Sequence, residues 1–323
     1  MELLEKLTEK VLGKGKITKD EALKLYDMPL EELCGAADRI RKHFCKDGFD
    51  ICTIVNGKSG RCSENCKYCA QSSFYHTSAK EYSLLDKEEI LRQARYNAQK
   101  GVLRYSIVTS GKKLPDKEVD EMCDIIKEIR KTVGISVCVS FGLLNKEQFA
   151  KLKEAGVSRV HNNLETSRRN FPNVCTTHTF DDKIQAIQAA KEAGLTVCSG
   201  GILGLGETVE DRIDLALSLR ELEIKSVPIN LLNPIPGTPY ENNPVLSEEE
   251  MRRTVAVFRF LLPEASLRLA GGRGLLKDKG ESCFCSGANA VISGDMLTTS
   301  GYTIDSDMKL IKKLGYKAEL CNE

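Results

Sequence analysis

Three cysteines in the stretch Gly60-Arg61-Cys62-Ser63-Glu64-Asn65-Cys66-Lys67-Tyr68-Cys69 stand at C-x-x-x-C-x-x-C spacing. Three thiolates gathered so closely can ligate three irons of a cubane and leave the fourth iron without a protein ligand. An iron left open in this way can chelate a small molecule. The stretch is polar, with Arg61, Glu64 and Lys67 among the thiols, so burial of apolar cysteines does not account for the spacing. A structural zinc site completed by His76 is the alternative, although zinc modules usually split their ligands into two separated short clusters. Further thiols stand at Cys138 and Cys198, inside β-branched runs, and at Cys283 and Cys285 in a C-x-C pair.

The chain that must position these groups has 323 residues, and 13 of them are cysteine. The first 19 residues alternate apolar and charged types at helical spacing, unlike a signal peptide, and no stretch reaches membrane-spanning length. A cytoplasmic location is therefore expected, where thiols stay reduced and metal or redox chemistry explains cysteines better than disulfides. With 47 basic against 46 acidic residues, nothing in the charge calls for nucleic acid or a membrane surface as partner.

Short β-branched runs alternate with amphipathic stretches, as in parallel strands joined by crossover helices. Eight strands are expected, at Ile51–Val55, Arg104–Thr109, Ile135–Ser140, Arg159–Asn163, Thr196–Gly200, Ser226–Leu231, Ser266–Ala270 and Asn289–Ile292. The fold expected is an α/β (β/α)8 TIM-type barrel over residues 51–323, preceded by an N-terminal helical extension over 1–50 and forming one domain with it. In the helix expected at Asp116–Arg130, Val119, Met122, Cys123, Ile126 and Ile129 share a face, which makes Cys123 core. Thr18 or Asp20 is the cap candidate for an earlier helix. The cysteine loop follows the first strand, on the face of such barrels where catalytic loops gather.

The cysteine motif resembles that of the radical S-adenosylmethionine (SAM) superfamily, and longer stretches narrow the resemblance to the biotin synthases. They are Cys62 to Ser73, Asn162 to Ser167, Val197 to Thr208, Ser226 to Leu231, Arg268 to Arg273, Gly287 to Asn289 and Leu297 to Thr299. The resemblance implies a 4Fe-4S cluster on Cys62, Cys66 and Cys69 that reduces SAM to a deoxyadenosyl radical. That radical takes hydrogen from dethiobiotin, and a sulfide of an auxiliary cluster is transferred to the carbon. It also implies a homodimer and an electron donor such as flavodoxin or ferredoxin. Tyr68, Asn163, Glu165, Lys183, Gly200 and Gly201 take SAM-binding positions by the same carry-over; Asn163, Asn230, Thr298 and Thr299 take positions against the substrate.

Inward-pointing cysteines and an arginine hold the auxiliary cluster in the family, and Cys138, Cys198 and Arg273 fit those positions. Ser106 stands where many members carry a third cysteine, and His161 where relatives carry asparagine. Cys283 and Cys285 could supply the missing thiolates. Four thiolates would suit a four-iron auxiliary cluster better than a 2Fe-2S centre, because a cubane takes one thiolate per iron. Cys52 is assigned no role. A related radical SAM maturase or mutase that inserts no sulfur is the nearest alternative, and a non-catalytic iron–sulfur carrier or zinc-stabilised binding protein the more distant one.

Overall fold

The computed structural model describes residues 2–322; Met1 and Glu323, the outer bounds of the two expected segments, lie outside the described residues. Three helices come first, α1 (Glu2–Leu12), α2 (Lys19–Tyr26) and α3 (Leu30–Cys45). Thr18 caps α2 through a reciprocal box, its hydroxyl accepting from the Glu21 amide while the Glu21 carboxylate accepts from the Thr18 amide. Strand and helix then alternate: β1 (Gly48–Lys58), α4 (Lys87–Gln99), β2 (Arg104–Thr109), α5 (Asp116–Thr132), β3 (Ser136–Ser140), α6 (Lys146–Glu154), β4 (Arg159–His161), α7 (Phe171–Val174), α8 (Phe180–Glu192), β5 (Thr196–Cys198) and β6 (Gly201–Leu203). After these follow α9 (Val209–Glu221), β7 (Ser226–Leu231), α10 (Glu248–Leu261), β8 (Ser266–Leu269), α11 (Glu281–Phe284), β9 (Ala290–Ser293), α12 (Ile304–Lys313) and β10 (Lys317–Ala318).

Neighbouring strands pair in parallel from β1 to β9, and β9 returns to β1 with Cys52 opposite Ile292, which closes an eight-position barrel. The fifth position is split into β5 and β6, both parallel to β7. Gly200 lies in the break. A Cβ there would sit 1.9 Å from the Pro228 carbonyl oxygen of β7. Gly200→Ala is accordingly expected to force β7 away and destabilise the barrel by about 1–3 kcal/mol, the usual cost of overpacking. A thermal midpoint equal to that of the parent would show that the close approach is not rigid.

The strands carry two different faces. Tyr105 and Ile107 of β2 are fully buried against the helical layer, where they join one continuous apolar core that extends from Leu4 to Ile311. The alternate residues, Arg104 and Ser106, point into the barrel, as do Cys138, Arg159, His161, Cys198, Asn230 and Arg268 from other strands. Most of the hydrophobic stabilisation therefore comes from the sheet–helix interface, and the interior is left polar. In α5, Val119, Met122, Cys123, Ile126 and Ile129 are buried, so Cys123 is core; Cys34 in α3 is likewise buried.

Residues 317–322 pack across the base of the barrel. Lys317 and Ala318 of β10 pair with Gly48 and Phe49, and Arg159 Nη2 donates to the carbonyls of Cys321 and Asn322 at 3.0 and 2.7 Å. At the other side of the helical layer, α3 and α2 pack on α10, with the Tyr26 hydroxyl 2.9 Å from Glu250 Oε2 and 3.0 Å from Thr254 Oγ1. Among the described residues no helix is long and apolar enough to cross a membrane.

Candidate active site

The cysteine loop leaves the top of β1 and folds back on itself. The Cys62 amide donates to the Gln71 carbonyl at 3.0 Å, the Ser73 amide to the Cys62 carbonyl at 2.8 Å, and the Cys69 amide to the Cys66 carbonyl at 3.0 Å. These bonds hold Cys62, Cys66 and Cys69 on one compact turn. Arg61, at φ +50°, makes the tight entry to it. A second loop braces the turn from above: a Cβ on Gly237 would lie 1.9 Å from the His76 carbonyl oxygen, so the Pro/Gly-rich segment after β7 packs directly on the cysteine loop.

The turn opens onto a cavity of about 370 Å³ that runs down the barrel, lined near its mouth by Cys62, Cys69, Tyr68 and Lys183. Asn163 and Glu165 also line it, from the segment just past β4. Asn163 Oδ1 accepts from the Gly200 amide at 3.0 Å, and its Nδ2 donates to Glu165 Oε2 at 3.3 Å. Glu165 sits at φ +69°, a left-handed conformation that costs a non-glycine residue energy. The Tyr68 phenol is pushed well up by burial and by the Glu165 carboxylate it bonds, so it remains a donor toward that carboxylate. Asn230 reaches the cavity too. Its Nδ2 donates to the Gly201 carbonyl at 2.9 Å and its Oδ1 accepts from the Gly271 amide at 2.8 Å, leaving one N–H and one lone pair for a ligand. Thr298 and Thr299 complete the rim.

Two expected SAM contacts are not on the wall. Gly200 and Gly201 do not line the cavity; a Cβ on Gly201 would meet the Glu165 carbonyl oxygen at 2.5 Å and Leu215 Cδ2 at 2.6 Å. Close packing of strand β6 against its neighbours requires both glycines.

Deeper in the barrel Cys52, Cys138 and Cys198 face the same space, with Ser106 beside Cys138. Burial would raise the Cys198 thiol, but the hydrogen bond from His161, with the charges of Arg268 and Arg159, holds it down at about 6. Cys138 is pushed up to about 12 by burial and by the neighbouring Cys198. Of these three barrel thiols, Cys198 is thus the most ready to offer the thiolate that iron requires.

Below the thiols lies a buried charge cluster. Arg104 Nη1 donates to both oxygens of Asp50 at 2.8 Å, Arg268 Nη2 stands 3.0 Å from Asp50 Oδ1, and Arg159 Nη1 3.6 Å from Oδ2. All four side chains are at most 2% exposed. Three guanidinium groups thus converge on this carboxylate beneath the thiols. Arg268 Nη1 also donates to Cys52 Sγ at 3.1 Å. A buried floor lined by guanidinium groups fits an anionic occupant with thiolate ligands, which describes an iron–sulfur cluster.

This floor corrects two expectations. Arg273 lies four residues past the end of β8, in a 3-10 turn outside the cavity, where it forks onto Asp307 at 2.8 Å and stacks on the Tyr302 ring at 4.7 Å. The arginine of β8 that faces the cavity is Arg268, whose place on the inward phase of the strand was readable by counting alternate residues. Cys283 and Cys285 do not approach the cavity either. Cys283 is fully buried in α11 among Cys34, Glu248 and Arg252 of the outer helices, and Cys285 is exposed beside Asp38 and Arg41. The segment is helical rather than extended, so residues two apart point about 200° away from each other and cannot share a cluster.

Residues 56–219 match the pattern of the radical SAM superfamily, and residues 228–317 that of the Biotin and Thiamin Synthesis associated domain. The chain is 59% identical over 317 residues to the biotin synthase of Brachyspira hyodysenteriae, covering 98% of this chain and 95% of that protein. The chain belongs to the biotin synthase family. To the biotin synthase of Akkermansia muciniphila it is 57% identical, over 99% of this chain and 100% of that one. It is a radical SAM sulfurtransferase that forms biotin, with a 4Fe-4S cluster and SAM as cofactors. A methylornithine synthase of known structure superposes with a TM-score of 0.84 over 97% of both chains at 19% identity, and so shares the barrel. An FeFe-hydrogenase maturase from Carboxydothermus hydrogenoformans matches with the same TM-score at 16% identity, over 99% of this chain and 80% of that one.

Sequence reasoning left out Cys52, Arg104, Arg159, Arg268 and Asn162, all of which line the cavity. Strand phase was the available signal for the first four. Asn162 points Nδ2 into the protein with no hydrogen-bond partner, and nothing in its sequence neighbourhood marked that.

Proposed function

We propose that the two halves of the biotin synthase reaction fall to two levels of this one cavity. Cys62, Cys66 and Cys69 hold the 4Fe-4S cluster at the mouth. Tyr68, Asn163, Glu165 and Lys183 bind SAM beside it, Glu165 facing the ammonium group and Lys183 the carboxylate. When bound, the upper cluster supplies the electron that splits SAM, and the lower cluster supplies sulfur. Asn230, Thr298 and Thr299 position dethiobiotin between the levels, the amide toward the ureido ring and the hydroxyls toward the carboxylate.

Cys52, Cys138 and Cys198 hold the auxiliary cluster, with Arg268, Arg104 and Arg159 as its counter-charges. Three thiolates suit a four-iron cluster whose remaining iron takes a ligand from outside the protein, such as a sulfide. The single observation that carries this reading is the convergence of three inward thiols above a floor of three buried arginines. The barrel and its N-terminal helices act as one unit, the enzyme works as a cytoplasmic homodimer, and a flavodoxin or ferredoxin reduces it.

Anaerobically reconstituted protein is expected to contain about eight irons per chain, two cubanes' worth, and to form biotin from dethiobiotin with release of deoxyadenosine. About six irons would indicate a two-iron auxiliary centre and overturn the four-iron assignment. Deoxyadenosine without biotin would overturn sulfur insertion.

A further inference from the structure

Cys175 has no part in either level of the cavity, yet its surroundings are built. Among the described residues, one group of side chains brings its metal-ligating atoms within 4.8 Å of one another, and it consists of Cys66, Cys175 and His178. A single zinc-like ion holds sulfur at about 2.3 Å and imidazole nitrogen at about 2.0–2.1 Å, so its ligand atoms lie at most about 4.6 Å apart. The observed spacing is thus already close to that of a mononuclear site. Cys62 and Cys69 do not belong to the group, although they share the loop with Cys66.

The site is held without an ion. Lys67 N donates to the Val174 carbonyl at 3.0 Å, Asn65 Nδ2 to Thr176 Oγ1 at 2.7 Å, and the Thr176 amide to Asn65 Oδ1 at 2.9 Å, which docks the cysteine loop on residues 174–178. Cys175 Sγ lies 3.4 Å from each of Asn65 Oδ1, Thr177 Oγ1 and His178 Nδ1. Glu64 Oε2 is 2.6 Å from His178 Nδ1 and accepts from Thr177 Oγ1 at 2.7 Å. The same Nδ1 faces both Glu64 and Cys175, so an ion bound through it takes the place of the Glu64 contact. Cys175 and His178 are 3% and 7% exposed, so an ion there would be largely shielded from water.

We propose that Cys66, Cys175 and His178 bind one thiophilic divalent cation, of the Zn²⁺ or Co²⁺ class, in the cluster-free protein. Two thiolates and an imidazole select such ions over Mg²⁺ or Ca²⁺. Binding releases the two thiol protons, and the fourth position goes to water. Because Cys66 serves both this ion and the 4Fe-4S cluster, the two are mutually exclusive, and zinc delays cluster assembly. Exclusion rests on the reading of Cys66 as a cluster ligand, whereas ion binding does not.

The test uses full-length cluster-free protein titrated anaerobically with Co²⁺, read by thiolate-to-cobalt charge-transfer absorption and the visible ligand-field bands. In the Cys62→Ala/Cys69→Ala variant these bands are expected to persist at the parent's affinity. Adding Cys175→Ala or His178→Ala should weaken binding by at least about 10-fold and alter the bands. Bands and affinity unchanged by either addition overturn the site. In the otherwise native chain, Cys175→Ala is expected to load its 4Fe-4S cluster normally, which shows that it folds, and to do so even after one equivalent of Zn²⁺. Zinc delay equal to the parent's in that variant overturns the competition while leaving the assignment of Cys62, Cys66 and Cys69 intact.

Discussion

Replacing Cys52, Cys138 or Cys198 with alanine is expected to abolish biotin formation while deoxyadenosine production from SAM continues. The separation follows from geometry. These thiols lie deep in the barrel, whereas Cys62, Cys66 and Cys69 sit on a turn at its mouth whose hydrogen bonds do not involve them. Loss of a partner in the outer shell of a metal site commonly costs about 10–100-fold, and loss of a ligand should exceed the upper end, so a fall in biotin of more than about 100-fold is expected. Auxiliary iron should fall in parallel, by about four per chain. Cys283→Ala and Cys285→Ala serve as controls, since α11 points these residues at the outer helices and at solvent. Iron counts and Mössbauer spectra decide the matter: full auxiliary iron in Cys52→Ala with loss of iron in Cys283→Ala would reverse the assignment.

The fold was legible because its signals are local and repeated. Each expected strand lies within two residues of an observed start, except β1, which begins three residues earlier, and the 62–69 motif carries its meaning in spacing alone. What escaped notice depended on phase or on distance along the chain. Cys52 and Arg268 were visible residues, but their value lies in facing the same cavity as Cys198 from β1 and β8, a matter of how strands far apart in sequence close the barrel. Arg273, only five positions from Arg268, reads equally well until the strand is seen to end at Leu269. The C-x-C pair misled because an extended segment and one helical turn give opposite answers about whether its thiols converge. Cys175 and His178 meet Cys66 only because α7 folds the chain back over the cysteine loop, more than a hundred residues later.

Asp50→Asn is expected to be the most destabilising conservative change in the barrel. The side chain keeps its volume but loses the charge that faces Arg104, Arg159 and Arg268, and none of the three can move to water, each being at most 2% exposed. Breaking a buried ion pair by removing one partner costs about 3–5 kcal/mol, because the remaining charges are left uncompensated. For a chain of this size that corresponds to roughly 6–10 °C in thermal midpoint. Burial alone would raise the Asp50 carboxyl, but the charges of Arg268, Arg104 and Arg159 outweigh it and hold the group well below the usual carboxylate range. Its contribution is therefore complete above about pH 4, the ordinary value for an unfolded aspartate, and drains away as pH falls toward the folded value. The variant should lose that part of the acid dependence as well as stability at neutral pH. Arg268→Met in the same background removes one of the cations that faced the carboxylate and is expected to restore part of the loss, since the two sites are in contact and their effects cannot be additive. Melting curves of cluster-free protein from pH 3 to 7 would check both points. An Asp50→Asn midpoint within about 2 °C of the parent at neutral pH would mean that the three arginines are neutralised by something other than this carboxylate.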